Sequence, residues 1–188
     1  MSDFILQNVP ATPATLAGYS AFWGGIGLGS LGPLTSSSTT GWILNQASVW
    51  MFFLVLPITI SKATVNITTT LLGGNISAGV YSLSGTKLVD TGTFSTTTGG
   101  VKTNTFTSTL LPSGWYYFNF TASSASIGIT YFQNFATAGI DNLLNQNPTT
   151  PRVGTATATS GGAQNASLGT VSSTAAGNSF SMPAVLFE

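Results

Sequence analysis

The chain reads as all-β: a jelly-roll-like antiparallel β-sandwich over residues 46–188, carrying an irregular N-terminal arm over residues 1–45. Three observations predict this. From residue 46 onward, β-branched and aromatic runs are separated by Gly, Pro and Ser turn signals every ~10–15 residues, the spacing of sandwiches and barrels. No long stretch holds an apolar period of 3.6. The segment GWYYFNFT at 114–121 alternates faces as a strand must, with Tyr116, Phe118 and Phe120 on one side and Trp115, Tyr117, Asn119 and Thr121 on the other.

Taken in order, residues 49–70 form a long strand broken or bulged near Pro57, because proline cannot donate to a ladder. The sequence LLGGN at 71–75 is a turn. Strands follow at 79–84 (GVYSLS), 88–94 (LVDTGTF), 103–110 (TNTFTSTL), 114–121 and 126–132 (SIGITYF), with turns at Ser84-Gly85, Gly99-Gly100 and Pro112-Ser113-Gly114. Residues 135–146 (FATAGIDNLLNQ) suit one short helix before Pro148, and 155–160 and 167–174 suit edge strands or loops. The segment 179–187 closes the fold, with Phe180, Met182, Ala184 and Leu186 facing inward and Pro183 on the other side.

The arm is rich in Gly, Ala, Pro and Ser but carries dispersed large apolar groups, among them Tyr19, Phe22 and Trp23. Disordered segments are poor in such residues, so the arm docks, and these three are its candidate anchors, with a neighbouring subunit the preferred surface. A membrane-active role for the residues around Phe22 and Trp23 is the lesser reading. Residues 24–29 (GGIGLG) lack the preceding strand, the following helix and the final glycine of a nucleotide-binding fingerprint.

Composition narrows the chemistry. Eight of 188 residues are charged: Lys62, Lys87, Lys102 and Arg152 against Asp3, Asp90, Asp141 and Glu188. There is no histidine and no cysteine, so the usual transition-metal ligands, general base and activated nucleophiles are missing. No acidic cluster invites calcium, and no cofactor is expected. A glycosidase needs two facing carboxylates, and only Asp90 and Asp141 lie in the body. Asp90 suits a turn, where it accepts from backbone amides; Asp141 suits a helix cap or an ion pair with Arg152. The expectation is a protein that is not an enzyme.

Four scattered cations make no stripe for nucleic acid. The longest apolar run, VWMFFLVLPITI at 49–60, is 12 residues long and contains a proline, against the ~20 needed for a membrane span. The start, MSDFILQNVP, has neither the basic nor the apolar region of a signal peptide, so synthesis in a cytoplasm without export by the secretory route is expected. The sequons at Asn66, Asn75, Asn119 and Asn165 are what chance gives a chain with 12 asparagines and 53 serines and threonines. Such a neutral hydroxyl surface suits a protein packed against copies of itself.

Three segments have a familiar form: YSLSGTKLVDTG at 81–92, STTTGGVKT at 95–103 and TLLPSGWYY at 109–117. With RVGTA at 152–156 and PAVLF at 183–187, they resemble an outward-facing β-sandwich module of tailed-bacteriophage structural proteins, of tail-fibre, spike or capsid-decoration type. The resemblance covers residues 48–188 and leaves out the arm. It implies a virion location, a homo-oligomer with a trimer favoured, and contact with other virion proteins through the arm. The chain departs from long fibres in having no coiled coil or collagen-like stalk, which points to a stub, a tip or a protein clamped on a capsid. The alternative is a carbohydrate-binding module for receptor recognition. In it Trp115 and Tyr117 stack a host surface glycan and Asn119 bonds its hydroxyls; the same three residues would otherwise meet a loop or a subunit.

Overall fold

A computed structural model describes residues 22–23, 34–36, 47–132, 151, 153–156, 162–173 and 182–188. Within them the chain is all-β, and two antiparallel sheets pack face to face. The strands are β1 (Phe22–Trp23), β2 (Leu34–Ser36), β3 (Ala47–Leu54), β4 (Ile58–Thr69), β5 (Asn75–Ser82), β6 (Lys87–Ser95), β7 (Gly100–Leu111), β8 (Gly114–Ala122), β9 (Gly128–Phe132), β10 (Val153–Ala156), β11 (Ser172–Ser173), β12 (Met182–Pro183) and β13 (Leu186–Phe187).

The first sheet runs β11-β10-β3-β8-β5-β6. In the second, β7 lies along one side of β4, while β13 and β9 follow one another along its other side. The stretch expected as one strand around Pro57 is two strands in different sheets, since β3 pairs with β8 and β4 with β7. A break at proline lets the chain cross the core rather than continue a ladder.

Side chains from both sheets fill the space between them. Phe118 is fully buried and packs on Trp50 at 5.6 Å and edge-on to Phe187 at 6.2 Å, while Phe52 meets Tyr116 at 5.9 Å. The alternation read in β8 therefore holds, with Tyr116, Phe118 and Phe120 in this core.

The C-terminal segment departs from its expected pattern. Met182 and Ala184 are buried as anticipated, but Val185 and Phe187 are buried too, and Leu186 is only half-buried. The cause is a change of partner: β12 pairs with β9, whereas β13 pairs with β4 at Ala63 and Thr64. Crossing between them resets the alternation. Beyond β13, Ser61 and Lys62 both donate backbone N–H groups to the Glu188 oxygen, at 2.7 and 2.8 Å.

The arm's described residues join the second sheet of their own chain. Phe22 and Trp23 stand in register with Phe187 and Leu186, and β2 pairs with β9. The outer edge of β13 thus gives Phe22 and Trp23 backbone partners within the same chain. Tyr19, Phe180, residues 24–29, the helix expected at 135–146, and the Asp141–Arg152 pair lie outside the described residues.

Candidate functional site: two open surfaces

Much of the outer face of the first sheet is closed over by its own chain. Residues 162–171 run across it, and Ala47, Val49, Tyr81, Tyr117 and Leu168 pack beneath and against that strap. Polar contacts fix it. Gln164 Nε2 donates to Ser77 Oγ at 2.9 Å, and the hydroxyls of Ser77 and Thr121 both donate to the Gly162 carbonyl, at 2.5 and 2.9 Å. Tyr81 Oη lies 2.7 Å from the Asn165 carbonyl and 3.1 Å from Gln164 Oε1, sharing one proton between them. Burial, and secondly the negative charge of Asp90, raise the Tyr81 phenol far above its usual range. It stays a neutral donor.

This placement corrects the sugar platform expected from Trp115, Tyr117 and Asn119. Tyr117 is 5% exposed and Asn119 2%, so neither can touch a ligand. Tyr117 spends its hydroxyl on the Pro151 carbonyl at 3.3 Å, and burial pushes its pKa up. The aromatic second face is covered by a loop of the same chain. Trp115 alone remains open, at 47%.

Trp115 has other company. It is the register partner of Phe53 across β3 and β8, and their rings are 5.0 Å apart at 55°. Leu83 follows directly after the Ser82–Tyr116 pair, extending the row past β5, and Phe53 and Leu83 are both exposed. At the β5–β6 turn, Ser82 Oγ and Ser84 Oγ lie 2.7 Å apart, with Thr86 Oγ1 at 3.4 Å from Ser84.

The second open surface is the outer face of the second sheet. Thr64 and Thr103 exchange a 3.0 Å hydrogen bond across β4 and β7, and Asn66 Nδ2 donates to Thr130 Oγ1 at 2.9 Å across β4 and β9. Between β4 and the β12–β13 segment lies a hollow of about 260 Å³ lined by Thr64, Val65, Asn66, Val101, Thr130, Ala184 and Leu186. Val101 stands 71% exposed at its rim. Single-sequence reasoning missed this surface because its residues come from four strands whose register only the folded sheet reveals. The Thr-x-Thr spacing of β7 was its one legible trace.

The Lys87–Asp90 pair, at 2.7 Å, lies within β6, where Asp90 accepts from the Gly92 amide at 2.9 Å; it bonds a backbone amide as expected, but from a strand rather than a turn. Among the described residues no three His, Cys, Asp or Glu side chains cluster as a metal site would require, and no helix is long and apolar enough to cross a membrane. No family model, no curated protein and no solved structure matches this chain.

Proposed function

We propose that this protein is a non-enzymatic structural component of the exterior of a bacteriophage particle, a short tail-fibre or spike component or a capsid-decorating protein that assembles as a homotrimer. The observation that carries the reading is the outer face of the second sheet: long, hydroxyl-rich, almost uncharged, and set with exposed apolar side chains such as Val101 and Leu110. A protein working alone in solution ordinarily carries more charge on such a face. The sequence resemblance supplies the particle, and the arm supplies its attachment to other virion proteins. Mass spectrometry of purified particles, with antibody labelling in electron micrographs, tests this. Absence of the chain from particles sinks the assignment.

The Phe53–Trp115 pair favours a second role compatible with the first, recognition of a host surface saccharide. Trp115→Ala removes the larger ring of an exposed pair and should leave the fold intact. Glycan-array binding or host adsorption that is unchanged in this variant excludes the saccharide role.

A further inference from the structure

The protein has several surfaces through which copies could meet, and most are already spent. Much of the outer face of the first sheet lies under the strap, with the Phe53–Trp115 row left open. The free edge of β6 is capped, because Asn104 Nδ2 on β7 donates to the carbonyls of Thr91 and Thr93 at 3.0 and 3.1 Å. The edge strand β7 is irregular, its pairing with β4 slipping between Ile60 and Lys62, and such a kink discourages strand addition. Besides the Phe53–Trp115 row, the surface left open among the described residues is the outer face of β7, β4 and the β13–β9 line.

We infer that this face, centred on Val101, Thr103, Thr64 and Asn66, is where a second copy of this chain docks, with the apolar hollow beside Val101 receiving a side chain of that copy. The inference rests on the self-assembling reading above and gives it a location. Size allows it. Strands of 12 residues run ~40 Å and three lines of strand span ~15 Å, offering on the order of 600 Å² per copy, the low end of the ~1,200–2,000 Å² in total that stable interfaces bury. Charge does not oppose it: of the two charged residues on β4 and β7, Lys102 is the register partner of core-facing Val65 and lies on the other face, leaving Lys62 as the one charge of these two strands here. Hydroxyls already paired within the sheet lose little when water leaves. A charged ligand or nucleic acid would find nothing complementary here.

The test is the solution mass of the full chain by light scattering, alongside Val101→Arg, Thr103→Arg and, on the other open surface, Trp115→Arg. Each replaces a solvent-exposed side chain, and the thermal midpoint at high dilution checks that the fold persists. The expected result is an oligomer for the native chain and for Trp115→Arg, and at least a tenfold weaker association for Val101→Arg and Thr103→Arg. An oligomer that survives both β7 substitutions but falls apart with Trp115→Arg overturns the location while leaving self-assembly standing. A native chain that is monomeric at all concentrations overturns both.

Discussion

Gln164 and Tyr81, 83 residues apart in the chain, meet with Oη 3.1 Å from Oε1 beneath the strap that seals the first sheet. The same amide reaches Ser77 through Nε2 at 2.9 Å, so one side chain answers two buried hydroxyl-bearing residues. Gly79 makes room for it: a Cβ there would lie 3.0 Å from Gln164 Oε1 and 3.0 Å from the Val89 carbonyl.

Replacing Gln164 by leucine keeps the volume and removes both bonds, leaving Tyr81 its Asn165 carbonyl and Ser77 its Gly162 carbonyl. A typical intramolecular hydrogen bond contributes about 0.5–1.5 kcal/mol, so Gln164→Leu should destabilise by about 2 kcal/mol, read from urea unfolding at constant m-value. A loss below about 0.5 kcal/mol would mean the strap is held by apolar packing alone.

Asn119 is the counter-case on the same face. It is buried, and its Oδ1 has no hydrogen-bond partner. Removing an unpaired buried acceptor lifts a desolvation penalty, so Asn119→Leu should be neutral or stabilising by about 1 kcal/mol. Marked destabilisation in the same urea experiment would show that the amide is satisfied in solution.

Gly154 lets β10 and β11 come together: a Cβ there would fall on the Ser172 carbonyl. Gly162 has φ of 75° and would place a Cβ 2.6 Å from the Asn75 carbonyl. Gly154→Ala should expose the β10–β11 backbone to faster amide exchange while β3 and β8 stay protected. Gly162→Ala combines left-handed backbone strain with that collision, so it should cost about 2 kcal/mol or more. Unchanged exchange in the first variant would show that β11 is not held by this approach.

Alkali should unfold the protein through its tyrosines. Burial raises Tyr81, Tyr116 and Tyr117 above their ordinary pKa near 10. A raised folded-state pKa means that the native state binds more protons than the unfolded state once pH exceeds ~10. Stability is therefore complete below pH ~10 and falls as pH rises beyond it. Phenolate absorbance near 295 nm should accordingly appear together with loss of β circular dichroism. Full phenolate absorbance in a still-folded protein would refute the burial of these hydroxyls.

Much of this was legible in the sequence. Turn residues such as Gly85, Gly100 and Gly114, together with β-branched runs, fixed the all-β class, because local backbone preference and period-2 alternation are properties of neighbouring residues. Alternation in β8 placed Phe118 in the core for the same reason. It also showed that the opposite face of β8 was too aromatic to meet water.

What covers that face was decided by tertiary structure alone. Whether Tyr117 and Asn119 are open or sealed depends on where residues 162–171 settle, and no local pattern in the strand records a strap some 45 positions away. The crossing at Pro57, the reset of alternation between β12 and β13, and the register that brings Thr64 to Thr103 and Phe53 to Trp115 are likewise agreements between distant segments. A strand's own sequence says which residues share a face. Only the packed fold chooses which neighbour that face meets.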